Sequence, residues 1–338
     1  MADIYKMHGI KKIFYEFKLQ FVITIIFLMI WLAFYLLNPP AFSNTFTYTS
    51  IMGVAPFTII PAISLTLIII AGEIDLSFAS VMALGPLVMA LTWQAFGEPT
   101  PLGILLGLLA GLGAGLLNGI LITKLGIPSL IATIGTLFLW RGVVLVVTEG
   151  FSIPLGEFRN TLIYNVFVGR VYGVPVQFFW AIVLAIIFWI ILNRHKFGAY
   201  IYYIGDNRTA ARMVGINVDR VLIIAYAIHG MVAAFAGILD SLEMATFWPA
   251  LGDIYMLKSI ASVVIGGTPV TGGIGTIYGT FLGGMILEFI EMGVLASGVS
   301  GFWIRLVHGV VIIIALAAQG VIRKGELARI RIMRLLTT

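Results

Sequence analysis

The chain has 338 residues, of which 60% are hydrophobic and only 10% are charged, with a formal net charge of +5 and no cysteine. A soluble domain is about a quarter charged, so this composition predicts an integral membrane protein. The absence of cysteine excludes a disulfide scaffold, a cysteine-ligated zinc site and a cysteine nucleophile.

Apolar segments long enough to cross a bilayer, about 20 residues each, predict an all-α polytopic bundle of about ten transmembrane helices. The predicted spans are 20–37, 53–71, 78–96, 102–123, 127–147, 177–193, 221–247, 257–270, 276–295 and 303–322. The segment 257–270 is short, which indicates a broken or re-entrant helix. The first span lacks a small-residue cleavage site and is expected to be retained. Residues 1–338 are expected to form a single transmembrane domain.

The basic residues predict the orientation, because cytoplasmic loops carry an excess of Lys and Arg. With the N-terminus inside and ten crossings, fifteen of the twenty basic residues fall on the cytoplasmic side. Both termini are therefore predicted to be cytoplasmic, and the positive charge is explained by topology and lipid headgroups, without nucleic acid. The basic tail at 323–338 is expected to lie in the cytoplasmic interface.

Glycines recur every fourth residue in the span 102–123, at 107, 111, 115 and 119. This spacing places them on one edge of a helix, where another helix can approach closely. Asn118 lies beside this edge and is expected to hydrogen-bond across it. The simplest function of the stripe is tight packing.

Two polar, glycine-containing segments interrupt the apolar pattern, at 72–77 and 266–275. Irregular backbone near membrane depth survives only inside protein or along a water-filled cavity, so both segments predict a pathway or gate. The candidate residues are Glu73, Asp75, Ser77 and Thr268. The alternative is an ordinary turn in which Asp75 or Ser77 caps the span that begins near residue 78.

Charged residues inside predicted spans usually face the bundle interior or pair with one another. Asp240 and Glu243 lie three residues apart near the outer end of their span, where solvation is expected. Glu288 and Glu291 repeat this arrangement near the outer end of theirs. Lys258 and Arg305 lie near the same level as these glutamates, which predicts structural ion pairs.

Motifs for catalysis are missing from the sequence. It contains no GxxxxGK[ST] phosphate loop, no GxSxG nucleophile motif and no HExxH among its four histidines. The chain is therefore expected not to be an enzyme and to bind no cofactor or metal itself.

The predicted cytoplasmic loop 193–220 contains a short helix outside the membrane. Asp206 or Asn207 can cap its start, Thr209 to Val214 can form it, and Gly215 suits its end. Such a helix is shaped to enter a groove on another protein. A plain interfacial helix is the alternative.

Three segments in the same order resemble those of permeases of ribose/xylose/arabinose-type ABC importers. AGEIDLS at 71–77 is similar to their GGIDLS signature, and AARMVG at 210–215 resembles their coupling-helix loop. GGTPVTGGIGT at 266–276 is similar to their third glycine-rich segment. The chain departs from the pattern at Glu73, where Gly is usual, and at Thr209, where Glu is frequent.

The resemblance implies the permease subunit of an ATP-driven monosaccharide importer in a bacterial inner membrane. It implies two ATP-binding cassette subunits that hold ATP and Mg²⁺, a second permease copy or homologue, and an extracytoplasmic sugar-binding protein. The implied docking residues are Arg208, Thr209, Ala210, Ala211 and Gly215. An ion-coupled secondary transporter of a small polar solute is the alternative, and it would need an intramembrane carboxylate for the coupling ion.

Overall fold

The computed structural model describes residues 18–317, so the predicted tail at 323–338 lies outside the described residues. The described part is almost entirely helical. Its α-helices are α1 Lys18–Leu37, α2 Pro39–Phe42, α3 Thr45–Ile70, α4 Phe78–Phe96, α5 Pro101–Thr123, α6 Ser129–Thr148, α7 Leu162–Phe167, α8 Val176–Arg194, α9 Lys196–Asp206, α10 Arg208–Met213, α11 Val218–Glu243, α12 Asp253–Ile265, α13 Ile277–Ala296 and α14 Phe302–Ala317.

Among the described residues, eight helices are long and apolar enough to cross a membrane: α1, α3, α4, α5, α6, α8, α11 and α13. They correspond to eight of the ten predicted spans. The short predicted span 257–270 is helix α12, which has 13 residues and is about 20 Å long at 1.5 Å per residue. That is less than the hydrocarbon thickness of about 30 Å, as expected for a broken segment. The last predicted span is α14, which runs to the edge of the described residues.

Two helices differ in length from the sequence prediction. Helix α3 begins at Thr45, eight residues before the predicted start at 53, because the Asn44 side chain accepts a hydrogen bond from the Phe46 amide at 2.9 Å. Two prolines, Pro56 and Pro61, are accommodated inside this helix. Helix α11 ends at Glu243, and the residues after it turn into a strand.

Four two-residue strands depart from the all-α prediction: β1 Ile153–Pro154, β2 Arg170–Val171, β3 Val174–Pro175 and β4 Thr246–Phe247. Strand β1 pairs antiparallel with β4, and β2 with β3. They lie at one end of the bundle, in segments 149–175 and 244–252, which we call the hairpin face. The opposite end, the loop face, holds segments 71–77, 194–217 and 266–276.

Helix α3 is the centre of the bundle. The buried share of its span is 94%, against 72% for α4 and α11 and only 6% for α1. Helix α5 packs on α11 through the predicted glycine edge. A Cβ atom added at Gly115 would lie 2.0 Å from the carbonyl oxygen of Tyr226, and one at Gly111 would lie 2.4 Å from Ala234 Cβ. The close helix contact predicted from the glycine spacing is therefore confirmed.

Candidate functional site

The three family-like segments, far apart in sequence, meet at the loop face. The amide of Gly273 donates to the carbonyl oxygen of Ile70 at 2.8 Å. A Cβ atom at Gly205 would lie 1.8 Å from that same oxygen, so only glycine fits there without movement of the backbone. The end of α3 therefore contacts both the glycine-rich turn and the segment that leads into α10.

A tyrosine fastens α9 to the glycine-rich turn. The Tyr202 hydroxyl donates to the carbonyl oxygen of Gly275 at 2.7 Å. Burial raises the pKa of Tyr202 to about 12, because the phenolate would lose its hydration. Any tyrosine hydroxyl is protonated near neutral pH, and the raised pKa lets Tyr202 keep this hydrogen bond in more alkaline solution as well.

The predicted short helix of the loop is present as α10, with bounds one residue earlier than expected. Asn207 Oδ1 accepts from the Ala210 amide at 3.0 Å, which confirms Asn207 as the cap. Gly215 follows the helix with φ of 88°, a left-handed conformation that glycine adopts at little cost. The local sequence therefore determines both ends of α10.

Four of the five predicted docking residues are exposed on α10 and its end: Arg208, Thr209, Ala210 and Gly215. The fifth, Ala211, is only 2% exposed and packs into the chain's own core. Two residues that the sequence reasoning passed over are prominent, since Met213 is 80% and Val214 is 75% exposed. Two adjacent apolar residues in a polar loop outside any span were the signal that could have found them.

Ion pairs hold α10 against the rest of the loop face. Arg208 pairs with Glu73 of the 71–77 segment. Arg212 pairs with Asp219 at 2.9 Å, and Lys124 approaches the same carboxylate at 3.2 Å. All of these side chains except Lys124 line a cavity of about 400 Å³ between α10, the 71–77 segment and the turn between α5 and α6.

Asp75, two residues after Glu73, points into the bundle. Its Oδ1 atom accepts hydrogen bonds from the amide and the hydroxyl of Ser77, both at 2.7 Å. Ser77 occupies the cap position of α4 but makes no side-chain capping bond, so the predicted Ser77 cap is wrong. A capping serine accepts through its hydroxyl oxygen from a non-helical backbone position, whereas Ser77 has helical backbone angles and its oxygen accepts from Asn118 Nδ2 instead.

The Asp75 carboxylate belongs to a buried polar network. Asn118 Nδ2 donates to Asp75 Oδ2 at 3.3 Å and to Ser77 Oγ at 2.7 Å, while its Oδ1 accepts from Thr136 at 2.6 Å. His229 Nε2 lies 4.0 Å from Asp75 Oδ2. Asn118 thus forms interhelix hydrogen bonds as predicted, but its partners lie in the 71–77 segment and in α6 and not on α11, the helix across the glycine edge. His229 was passed over, because a lone histidine in an apolar span carries no spacing signal.

Thr268 lies inside the glycine-rich turn, not on a surface. It is fully buried, and its hydroxyl has no hydrogen-bond partner among the described residues. A Cβ atom at Gly275 would lie 2.4 Å from Thr268 Oγ1. The turn thus closes over this hydroxyl.

A second charged cluster surrounds Lys258 of α12. Its Nζ lies 3.6 Å from Glu288 and forms an ion pair with Glu291, so the ion pairs predicted for Lys258 are confirmed. The second basic group near Glu291 is His308, at 3.9 Å, and not the predicted Arg305. Glu288 was predicted to lie near the outer end of its span, but it is the twelfth of the 20 residues of α13.

The prediction of solvated carboxylates at the end of α11 is wrong for Asp240. This residue is fully buried, and neither carboxylate oxygen makes a hydrogen bond within the described residues. Glu243, one turn later, lies 3.8 Å from Arg170 at the hairpin face. Sequence position placed both residues near the span end, but the tertiary structure buries Asp240 completely.

Eight long apolar helices, packed around the buried helix α3, define the described part of the chain as a polytopic membrane protein. Residues 47–316 match the family described as "Branched-chain amino acid transport system / permease component". The chain belongs to this family of transport permeases, a membership that favours an ATP-driven permease over an ion-coupled transporter.

Several curated proteins are similar over most of their length. The ribose import permease protein RbsC of Escherichia coli (strain K12) is 33% identical over 80% of this chain and 86% of its own. RbsC of Bacillus subtilis (strain 168) is 39% identical over 75% of this chain and 78% of its own. The fructose import permease protein FrcC of Rhizobium meliloti is 31% identical over 84% of this chain and 80% of its own. No solved structure matches the chain.

Proposed function

We propose that this chain forms the membrane pathway of an ATP-driven importer of a monosaccharide in a bacterial inner membrane. The relatives named for ribose and fructose import support the substrate class. The observation that carries the proposal is that α10 is an exposed helix with apolar Met213 and Val214 at its end. Its Arg208 pairs with Glu73 of the 71–77 segment, which follows the end of α3. ATP and Mg²⁺ bind to separate subunits, and this chain has no catalytic role.

The contacts support a topology of ten crossings with both termini cytoplasmic. Helix α12 follows strand β4 of the hairpin face, and its first residue, Asp253, pairs with Arg141 in the middle of α6. Its end lies against the start of α13, where a Cβ at Gly266 would meet Gly279. It therefore supplies a short ninth connection between the faces in addition to the eight long helices, and α14 supplies the tenth. The loop face, rich in Lys and Arg, is the cytoplasmic side.

Two ATP-binding subunits are proposed to dock on the cytoplasmic side of an assembly that also contains a second permease copy or homologue. The loop 193–220 of this chain is proposed to be part of that docking surface. An extracytoplasmic sugar-binding protein would deliver substrate to the hairpin face, and membrane lipid covers the apolar sides. Glu73, Asp75, Ser77 and Thr268 are proposed to brace a cytoplasmic gate. This gate proposal is supported by the contact between the 71–77 segment and the glycine-rich turn at the end of α3.

The docking proposal is tested with Met213→Asp and Val214→Asp in the full chain, purified gently from its own host. Both side chains are exposed, so the variants are expected to fold normally and to lose the ATP-binding subunit, recognised by its phosphate-loop peptide. Met244→Asp changes an exposed methionine at the hairpin face, 49% exposed, and is the control. Retention of the ATP-binding subunit by both loop variants would contradict the docking assignment.

The substrate proposal is tested by uptake into vesicles that contain the purified complex and its binding protein. Radiolabelled ribose and fructose are the first probes, and leucine is included because of the family description. ATP-dependent uptake of a sugar, absent without ATP, is expected. Uptake of leucine with neither sugar would overturn the monosaccharide assignment, and uptake driven by an ion gradient alone would overturn the ATP-driven one.

A further inference from the structure

We propose that the ion pair between Glu73 and Arg208 links α10 mechanically to the buried network around Asp75, which makes both of them positioning residues for transport. The inference rests on the proposed function, because it takes α10 as the element that the ATP-binding subunits displace. It concerns Glu73, one of the two positions at which the sequence departs from the family-like pattern.

The two partners lie in unequal surroundings. The side chain of Glu73 is 7% exposed, whereas that of Arg208 is 45% exposed. Arg208 therefore reaches from an exposed helix to a carboxylate that little water can reach. Separation of the pair would leave that carboxylate buried without its counter-charge, which is strongly unfavourable. A displacement of α10 is consequently expected to carry Glu73 with it.

The segment that carries Glu73 is firmly attached to several helices. The next residue, Ile74, donates its amide to Ser129 Oγ at 3.2 Å and accepts at its carbonyl oxygen from the Tyr226 hydroxyl at 3.1 Å. Asp75 then binds Ser77 and Asn118. A pull on Glu73 is therefore transmitted to α4, α5, α6 and α11 and is not absorbed by a loose loop.

The cavity of about 400 Å³ beside the pair gives α10 room to move. Its lining combines the apolar side chains of Ile122, Ile127 and Leu222 with the charged side chains of Glu73, Arg208, Arg212 and Asp219. Packed protein interiors resist compression, but a displacement into this space would not compress a core. The ion pair spans the edge of the space and would follow such a displacement.

A second ion pair on the same helix is a matched control. Arg212 and Asp219 lie 2.9 Å apart, with side chains 60% and 28% exposed. This pair joins α10 only to the first turn of α11, which follows it in the chain. Exposed ion pairs of this kind contribute little to stability. Removal of this pair leaves no buried charge and breaks no link to the 71–77 segment.

The experiment compares Glu73→Gln/Arg208→Gln with Arg212→Gln/Asp219→Asn in the complete transporter reconstituted in vesicles. The first double variant removes both charges, so it leaves no unpaired buried charge and is expected to fold with an unchanged thermal midpoint. Uptake of the sugar that the wild type imports is expected to fall at least about tenfold, and uptake per ATP hydrolysed is expected to fall as well, which weaker docking of the ATP-binding subunit alone would not cause. The control variant is expected to keep both within about twofold.

Arg208→Lys keeps the positive charge and is expected to keep uptake within about threefold, which separates linkage by charge from packing of the guanidinium group. Uptake within twofold of wild type by Glu73→Gln/Arg208→Gln would overturn the inference. If that variant is lost on purification, Glu73→Gln alone is measured in the same assay, and normal uptake by it overturns the inference equally. A wild-type complex without ATP-driven uptake would instead contradict the proposed function.

Discussion

At the scale of single residues, Asp75 shows how a carboxylate is kept inside the bundle. It is 1% exposed, yet both of its oxygens accept hydrogen bonds, from Ser77 and Asn118. Buried polar groups are tolerated when such partners are present. The same segment thus presents one carboxylate to the interior and another, Glu73, to α10.

Asp75→Asn is expected to destabilise the fold. The new amide nitrogen would face Asn118 Nδ2, now 3.3 Å from the carboxylate oxygen, so two donors would meet in a buried site. A loss of about 1–3 kcal/mol is expected for such an unsatisfied contact, measured as a lower midpoint of thermal unfolding in detergent. Thr123→Val, which removes a local bond to Gly119 on the same helix as Asn118, should change it little. If Asp75→Asn and Thr123→Val unfold at the same temperature, the hydrogen bonds of Asp75 do not stabilise the fold as expected.

At the scale of helices, the glycine edge of α5 decides how closely α5 and α11 approach. Gly111 and Gly115 face the backbone of α11, whereas Gly113, on the same helix, has no atom within 4 Å of an added Cβ. The glycine edge therefore serves to pack α5 against α11, because small residues allow two membrane helices to approach closely.

Gly115→Ala is expected to weaken the bundle, and Gly113→Ala is its matched control. The added methyl at 115 would lie 2.0 Å from a backbone oxygen of Tyr226, which forces the helices apart at a cost of about 1–3 kcal/mol. At 113 the methyl meets open space, so the unfolding midpoint should be unchanged or slightly higher. Size-exclusion profiles after heating measure both. A midpoint for Gly115→Ala that matches the control would show that the two helices separate freely.

At the scale of the whole molecule, the two faces differ in chemistry. The hairpin face carries the short strands, and the loop face carries the ion pairs of α10 and the three converging segments. The proposed orientation places the loop face in the cytoplasm. Because the chain contains no cysteine, single cysteines can report each face without a background.

Tyr172→Cys and Leu125→Cys test the orientation. Tyr172 is fully exposed at the hairpin face, and Leu125 is 66% exposed in the turn after α5 at the loop face. In intact cells a membrane-impermeant maleimide is expected to label only Cys at 172. Permeabilised cells should label both. Labelling of the Leu125 variant alone in intact cells would reverse the proposed orientation.

The amino-acid sequence by itself determined the membrane class, the approximate spans, the ends of α10, the glycine contact and the interhelix hydrogen bonding of Asn118. These follow from composition, spacing and local capping, which act over a few residues. Burial within the bundle was decided only by the tertiary structure. Helices α1 and α3 have similar hydropathy, 2.4 and 2.2, but 6% and 94% of their spans are buried.

The physical reason is that lipid and protein interior are equally apolar, so hydrophobicity cannot say which of the two a helix faces. For the same reason the sequence could not reveal that Ala211 points inward, that Asp240 is buried, or that Glu73 meets Arg208 across 135 positions. Such contacts depend on how distant segments pack around α3. The local motifs supplied the candidate residues, and only the folded chain brought them to one face.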